Sequence, residues 1–178
     1  LGGNEIEIEV AHFDENDGKF LKKLFDKWKE LNVGLSNYGR KVNIPEVISE
    51  CMFCMYSGSA RYQRKIKGTG TVSFDTINLV KSRREQIKAT SIDNDLTTFG
   101  PRTEWDDLYF LDFYNVGKLD GTFNVYYIPS EYVYNNRVNS GQTMKDQQSQ
   151  KRRPRFSIKK DIIYKYNIKP KDINVKIW

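Results

Sequence analysis

The pattern of hydrophobic and polar positions predicts two adjacent strands near the middle of the chain. Residues 73–78 and 85–91 are short, rich in β-branched side chains and separated by a polar run of Lys, Ser and Arg. Side chains two residues apart on a strand point to the same face. The second strand therefore presents Gln86 and Lys88 together on one face and directs Ile87 to the other, toward a core.

Two helices are predicted ahead of this strand pair, because apolar residues recur there at helical spacing. The first begins near Asp17 and ends at Leu31, before a glycine-containing loop over residues 32–41. The second opens at Pro45, where the missing N–H costs little. The residues expected on the buried faces are Phe20, Leu21, Leu24, Phe25, Trp28 and Leu31 in the first helix and Ile44, Val47, Ile48, Cys51 and Met55 in the second.

Three other segments are expected to lie outside the core. Residues 4–13 alternate between acidic and apolar side chains, which is typical of an edge strand; a loose acidic arm is the alternative. Residues 57–70 are polar, basic and glycine-containing, and are interpreted as a flexible connector. Residues 92–101 end in Gly-Pro and are predicted to form a loop.

The second half of the chain adds further elements. Residues 107–113 and 123–129 are strand-like, with a glycine-containing turn between them. Ser130 is predicted to cap a short helix that runs through Tyr134. The order of helices and strands indicates one α/β (α+β) domain over residues 1–178, with a central mixed sheet flanked by helices.

The composition indicates a folded domain with a polyanionic partner. The 178 residues are 38% hydrophobic and 29% charged, and a chain of this length can bury a sizeable core. The net charge is +6, and residues 137–178 carry twelve Lys or Arg against three Asp. Such a basic region is typical of nucleic-acid binding, although a solvated basic face has the same composition. No apolar run approaches the ~20 residues of a membrane span, so no membrane partner is expected.

The cysteines and the histidine exclude several kinds of site. Cys51 and Cys54 form one CxxC pair, whereas a closed four-ligand zinc site needs more ligands. Both lie in an apolar helical stretch and are interpreted as core residues, and the low cysteine count favours a reducing cytoplasm. His12 is the one histidine of the chain, which excludes paired-histidine nuclease chemistry. Carboxylate–metal chemistry remains for the cleavage of a phosphodiester.

Asp75 supplies a carboxylate to such a site if the two central strands pair antiparallel. It then lies beside Gln86, on the face that also presents Lys88. Hard oxygen ligands suit a divalent cation, and a lysine can steady a phosphate or help to deprotonate a water. Glu50, at the edge of the apolar stripe of the second helix, is the candidate for a further carboxylate, whereas Glu46 is expected to face solvent. The alternative is a plain cross-strand ion pair between Asp75 and Lys88.

A basic polar segment near the end of the chain is the candidate DNA contact. Residues 139–156 are almost free of apolar side chains and cannot form a core of their own. Because apolar residues return at 161–166, the segment is interpreted as a loop inside the domain, over residues 137–158. Gln pairs with adenine, and Arg with guanine or phosphate; a disordered linker is the alternative. The expected DNA-binding residues are Gln142, Lys145, Gln147, Gln148, Lys151, Arg152, Arg153 and Arg155, with Arg61 and Arg64 of the connector.

The Asp75, Gln86 and Lys88 group resembles the PD-(D/E)xK nuclease motif, with Gln86 in place of its second acid. Several longer stretches are similar to the type II restriction endonucleases of the Bsp-six-I type, over roughly residues 18–165. The stretches that carry this resemblance are Gln86–Ser91, Asp95–Pro101, Trp105–Leu108, Gln142–Thr143 and Arg152–Ile158.

The resemblance implies a restriction-endonuclease-like core and a Mg²⁺-dependent enzyme, with Mn²⁺ as a substitute, that cuts double-stranded DNA at a short palindromic site such as GC-N-GC. It implies that Asp75, Gln86 and Glu50 hold the metal and that Lys88 assists the chemistry. It also implies a homodimer in the bacterial cytoplasm and a cognate DNA methyltransferase that acts on the same site without a stable complex. The replacement of an acid by Gln86 leaves one alternative, a noncatalytic DNA-binding module on a decayed nuclease fold.

Overall fold

The computed structural model describes residues 6–69 and 72–178, and for Asn115 the backbone alone. Its strands are β1 (Glu7–Ala11), β2 (Ala60–Lys67), β3 (Thr76–Asn78), β4 (Arg83–Thr90), β5 (Thr97–Thr98), β6 (Asp107–Asp112), β7 (Phe123–Ile128), β8 (Arg155–Phe156) and β9 (Asp172–Val175). Its helices are α1 (Glu15–Ser36), α2 (Glu46–Ser57), α3 (Ser130–Tyr134) and α4 (Met144–Ser149), with a 3₁₀ turn over Asn115–Gly117 and a π-helix over Lys159–Tyr164.

One mixed sheet forms the centre of the molecule. Within the described residues it contains seven strands in the order β1-β2-β3-β4-β6-β7-β9, while β5 and β8 pair separately. The β4–β6 pair is parallel and the other pairs are antiparallel. Helices pack against this sheet, so the predicted fold class, a central mixed sheet flanked by helices, is confirmed.

The sheet has a hydrophobic cluster on each face. One cluster joins α1 and α2 to Ile87 and to the inward residues of β6 and β7. The other joins the alternate residues of β6 and β7 to α3, α4 and the π-helix. The alternation arises because successive strand residues point to opposite faces. Leu108 and Phe110 therefore lie in the second cluster, whereas Leu111 lies in the first.

Helix α1 extends beyond its predicted end. Its start is fixed by a capping box in which Asp14 accepts the Asp17 N–H and Asp17 accepts the Asp14 N–H. The helix continues to Ser36, so the prediction of a loop from residue 32 is wrong. Asn32 holds this turn in place because its buried side chain accepts the N–H of Val42 at 2.7 Å. Phe20 and Leu31 are 60% and 56% exposed, which makes their predicted burial wrong.

Helix α2 matches its predicted start, with Pro45 as the N-cap. It ends at Gly58, whose φ of +74° is the left-handed conformation that glycine adopts without strain. Cys51 and Cys54 are both buried, which confirms them as core residues. Val47 is 53% exposed, so its predicted place on the buried face is wrong.

Residues 60–67 form strand β2, and the prediction of a flexible connector over 57–70 is wrong for them. Their polar side chains gave no hydrophobic signal, but hydrogen bonds to β1 on one side and β3 on the other fix the strand. Gly70 lies outside the described residues. The predicted edge strand is confirmed as β1, although residues 4 and 5 lie outside the described part of the chain.

The basic segment 137–158 is folded, contrary to the predicted irregular loop. It contains α4, which starts with a capping box between Thr143 and Asp146, and the short strand β8. Met144 and Phe156 anchor both elements in the second cluster, so the segment packs on the core of the domain and needs none of its own. Helix α3 is confirmed, but Ser130 is its first residue and Pro129 its cap. The described part of the chain contains no helix both long and apolar enough to cross a bilayer.

Candidate active site

Strand β4 carries the candidate site. Its hydrogen-bonded pairing with β3 ends next to Gln86. The antiparallel register places Thr76 opposite Glu85, and the N–H of Asp75 donates to Glu85 O at 3.0 Å. The carbonyl of Asp75 accepts the N–H of Tyr62 in β2 at 3.0 Å. The Asp75 backbone is therefore held between two strands at the point where β3 and β4 stop pairing.

Where the pairing of β3 with β4 ends, the Asp75 side chain accepts the hydrogen bonds. Its Oδ2 accepts the N–H of Ile87 at 2.9 Å and also a hydrogen bond from Gln86 Nε2. Both bonds orient the carboxylate toward the face of β4 that carries Gln86. The structure thus places Asp75 beside Gln86, and antiparallel pairing of the two central strands positions them.

Lys88 lies on the same face of β4, two residues beyond Gln86. Its ammonium is 5.8 Å from the ring centroid of Phe99, a fully buried residue that stacks on Phe156. A cation over an aromatic face is attracted by the ring quadrupole. Phe99 therefore helps to hold the half-buried lysine side chain toward the Asp75 carboxylate, and the Lys88 charge lowers the pKa of that carboxyl.

Glu50 reaches the same neighbourhood from α2. It is 6% exposed, and its Oε2 accepts a hydrogen bond from Arg61 Nε at 2.7 Å. Glu46, one turn earlier, is exposed at the mouth of the cleft beside Lys88. Of the two helix glutamates, Glu50 is therefore the one enclosed near Asp75.

Burial makes both carboxylates hard to ionise in the metal-free protein. Removal from water, with a further contribution from the Asp75 charge, raises the pKa of Glu50 to about 7, and Arg61 opposes this shift. Burial likewise raises the pKa of Asp75, opposed first by Lys88 and then by the hydrogen bond from the Ile87 N–H. Lys88 and Arg61 offset only part of the cost of burying the two carboxylates, and a bound cation would offset more of it.

The side chains present fit a divalent cation. Gln86 Oε1 is a buried acceptor without a hydrogen-bond partner, because the amide nitrogen has turned to Asp75. With Asp75 and Glu50 it makes an all-oxygen donor set, the type that Mg²⁺ prefers. No group of three or more His, Cys, Asp or Glu in the described residues is arranged to hold a metal, so a site here requires the amide oxygen.

A polar cleft of about 320 Å³ opens next to Lys88. Its walls come from the start of α2, the open edge of β4, the loop before β5, and β8. Lys41, Lys88 and Arg155 contribute positive charge to its lining, and Glu46 and Asp95 contribute acidic side chains. Lys88 lines this cleft, whereas Asp75, Gln86 and Glu50 do not, so the cleft can admit a phosphodiester to the lysine and links Lys88 to Arg155 of the basic segment.

The predicted DNA-binding residues fall into two groups. Lys145, Lys151, Arg152, Arg153 and Arg155 are exposed. The three glutamines are engaged with the protein: Gln147 is 9% exposed, Gln148 donates to Gly100 O at 2.9 Å, and Gln142 donates to Gln150 at 2.9 Å.

The two arginines of β2 are also paired. Arg64 bonds Glu9 on β1 at 2.5 Å and lies with its side chain 75% exposed, whereas Arg61 bonds Glu50. Arg61 therefore lies with the carboxylate cluster and not with the basic segment.

Sequence reasoning missed two residues that brace the site. Asn43 donates to Ala89 O at 2.9 Å and accepts the Ser91 N–H at 2.7 Å, so it closes the open edge of β4. Asp95 accepts the N–H groups of Ile158 and Lys159 and ties the loop before β5 to the π-helix. Their partners lie 46 to 64 residues away in the chain, and local sequence patterns do not predict such long-range hydrogen bonds.

Comparisons with known proteins identify the family of this chain. The family model described as Bsp6I restriction endonuclease matches residues 13–165. The type II restriction enzyme Bsp6I of Bacillus sp. (strain RFL6) is 38% identical over 171 residues, which cover 93% of this chain and 88% of that protein. No solved structure gives a significant match. The match covers most of the chain, including every residue of the carboxylate cluster, and we conclude that this chain belongs to the Bsp6I restriction endonuclease family.

Proposed function

We propose that this protein is a type II restriction endonuclease that cleaves double-stranded DNA at a short palindromic site, with Mg²⁺ as its cofactor and Mn²⁺ as a substitute. Membership of the Bsp6I family supports the class of enzyme. The observation that supports the metal dependence is the buried, unpartnered Gln86 oxygen of the residue that donates a hydrogen bond to Asp75, itself electrostatically coupled to buried Glu50. GC-N-GC is the proposed recognition site.

In this proposal, Asp75, Glu50 and the Gln86 oxygen hold the ion. When bound, Mg²⁺ supplies positive charge next to the phosphate and makes a neighbouring water more acidic. Lys88 donates hydrogen bonds from the same face of β4, where it orients the attacking water or stabilises charge on the phosphate oxygens. The half-buried setting strengthens these interactions, because water screens them less.

The exposed basic residues of the segment after α3 are proposed to follow the DNA. Arg155 lines the cleft beside Lys88, and Lys151, Arg152 and Arg153 continue from it along the chain. Arginine can bind either a phosphate or the major-groove edge of guanine. A palindromic site implies a two-fold homodimer in which each subunit cuts one strand. A cognate methyltransferase would act on the same sequence without forming a stable complex.

Plasmid digestion tests the proposed activity. Unmethylated plasmid incubated with the protein and Mg²⁺ should give discrete, repeatable fragments, and sequencing of the fragment ends should return one short palindrome. Lys88→Ala should give no fragments, whereas Lys23→Ala, which changes an exposed lysine of α1, should cut like the wild type. Intact plasmid with both Mg²⁺ and Mn²⁺ would contradict the proposal.

A noncatalytic DNA-binding protein is the second candidate, because Gln86 removes one negative charge from the metal site. This candidate predicts duplex binding without metal binding and without cleavage. Calorimetry with Mn²⁺ distinguishes the two candidates. The nuclease should bind the ion, and this binding should depend on Asp75, whereas the noncatalytic protein should not bind it.

A further inference from the structure

Arg61 occupies an unusual place for a DNA contact. It lies on β2, and its guanidinium is turned to the Glu50 carboxylate, with Nε and Oε2 2.7 Å apart. The two side chains are 23% and 8% exposed, so the pair is largely shielded from water. A bond between charged groups in such a setting is stronger than a surface ion pair.

The bond engages one oxygen of the carboxylate. Among the described residues, Arg61 provides the one side-chain hydrogen bond to Glu50, through Oε2. No hydrogen bond to the second oxygen, Oε1, is found within residues 6–69 and 72–178. Fixing one oxygen of a carboxylate restricts its rotation and presents the other oxygen in a defined direction, which is how residues behind a metal ligand usually act.

The backbone at Arg61 is paired with a strand on each side. Arg61 pairs with Thr76 on β3 and with Ala11 on β1, and the next residue, Tyr62, donates its N–H to Asp75 O. The strand that carries Arg61 is therefore the strand that fixes Asp75. Arg61 also supplies positive charge to both carboxylates.

We propose that Arg61 is a positioning residue of the metal site: it holds Glu50 Oε2 so that Oε1 is presented to the cation beside Asp75 and Gln86. This inference rests on the proposed function. It assigns Arg61 to the metal centre and leaves the DNA contacts to the exposed residues of the basic segment.

Mn²⁺ titration calorimetry without DNA is the test. Arg61→Met should bind Mn²⁺ about 10- to 100-fold more weakly than the wild type, as is usual when a residue behind a metal ligand is removed. Arg61→Lys keeps the charge but loses the planar guanidinium, so it should recover part of the affinity. Arg40→Met removes an exposed arginine of the loop before α2 and should match the wild type.

A double-mutant cycle shows whether Arg61 acts through Glu50. In the Glu50→Gln background, Arg61→Met should no longer weaken Mn²⁺ binding, whereas a general disturbance of folding would add a further loss. Circular dichroism and thermal unfolding check that each variant folds. If Arg61→Met does not fold, Arg61→Lys replaces it, and its Mn²⁺ affinity is measured both alone and in the Glu50→Gln background.

Two results would overturn the inference alone. Arg61→Met could bind Mn²⁺ as tightly as the wild type while its affinity for duplex DNA falls, which would make Arg61 a DNA contact. It could also bind Mn²⁺ more tightly, which would mean that Arg61 competes with the ion. A wild-type protein that binds no Mn²⁺ would overturn both the inference and the proposed metal-dependent function.

Discussion

The Asp75 carboxylate has a structural role in the sheet and a proposed chemical role as a metal ligand. Its Oδ2 accepts the Ile87 N–H where the β3 ladder ends, and it also accepts the Gln86 amide. The first bond satisfies a backbone donor that no strand reaches, and the second leaves Gln86 Oε1 unpartnered. The Asp75 side chain thus satisfies the backbone donor at the end of the β3 ladder. It also orients Gln86 so that the amide oxygen is available as a potential metal ligand.

Glu50 should give the metal-free protein a distinctive pH dependence. Burial raises its pKa from 4.5 to about 7, so the folded protein holds this proton more tightly than the unfolded chain does. The resulting stabilisation is fully present below pH 4.5 and is lost as the pH rises to 7. Relative to Glu50→Gln, the unfolding free energy of the wild type should fall by up to about 3 kcal/mol across this window.

Urea unfolding of both proteins in EDTA measures this difference. Comparison with Glu50→Gln removes the contributions of titrating groups that do not interact with Glu50, and the remaining difference belongs to Glu50 together with the Asp75 charge coupled to it. Parallel stability curves from pH 4.5 to 7 would show that Glu50 titrates in the folded protein as it does in water, and would contradict the buried position of its side chain.

At the scale of elements, the loop before β5 connects the active site to the C-terminal part of the chain. Thr97 and Thr98 pair with Phe156 and Arg155 of β8. Phe99 follows directly and lies beside the Lys88 ammonium. The position of Lys88 therefore depends on how firmly this short pair of strands is held.

Asp95 is the main anchor of that connection. It is 5% exposed and accepts hydrogen bonds from Ser157 Oγ, Ile158 N and Lys159 N at 2.5, 2.7 and 3.2 Å. Asp95→Ala leaves these donors unpaired and should lower the unfolding free energy by about 3 kcal/mol. Chemical denaturation measures the loss, and the exposed neighbour Asp93→Ala should stay within about 0.5 kcal/mol of the wild type. Equal effects of the two substitutions would contradict the anchoring role.

The sequence predicted the elements in which apolar side chains recur at strand or helical spacing and face a core. Strand β4 is one example. Once a strand is assumed, its alternation places Gln86 and Lys88 on one face and Ile87 on the other. Helix α2 is another, since burial of its cysteines follows from helical spacing. The same reasoning failed for β2, whose stability comes from backbone hydrogen bonds on both edges and leaves no apolar pattern.

The site was predictable where its residues lie close in sequence. Asp75, Gln86 and Lys88 fall within fourteen residues by their numbering, and their convergence follows from a single antiparallel pair. The pairing of Arg61 with Glu50 joins a strand to a helix, and the engagement of Gln142 with Gln150 depends on how α4 is capped. Such contacts are decided by tertiary packing, and residue type alone does not reveal them.

At the scale of the whole molecule, the last residues complete the core around α1. The family match ends at residue 165, but β9 pairs with β7 and Trp178 lies 5.6 Å from the Phe25 ring. Gly121, with φ of +88°, leaves room for the indole, because a Cβ there would lie 2.9 Å from it. The C-terminal segment is therefore part of the domain.

Trp178→Ala should destabilise the protein by about 2–3 kcal/mol, less than for a fully buried tryptophan because the side chain is half-buried. Thermal or urea unfolding measures the change. Ile173→Ala, at a position of β9 that is 64% exposed, is the matched control and should change the stability by less than about 0.5 kcal/mol. A Trp178 variant as stable as the control would mean that the segment does not pack on α1.

The exposed Lys and Arg residues of the basic segment should make DNA binding strongly dependent on salt, because each phosphate they neutralise releases counterions. If Arg152 and Arg153 each neutralise one phosphate, Arg152→Ala/Arg153→Ala should reduce the slope of log affinity against log salt by about 2. Fluorescence anisotropy with a duplex in EDTA measures this slope. Lys23→Ala/Lys27→Ala removes the same charge from α1, and a reduction as large as that of the arginine pair would assign the effect to net charge alone.

Mn²⁺ titration calorimetry of Asp75→Asn is the decisive test of the proposal that Asp75, Gln86 and Glu50 bind a metal ion. The wild type should bind Mn²⁺ with measurable heat, Asp75→Asn should lose that binding, and Asp26→Asn, which changes an exposed carboxylate of α1, should retain it. Wild-type and Asp75→Asn titrations that cannot be distinguished would contradict the account.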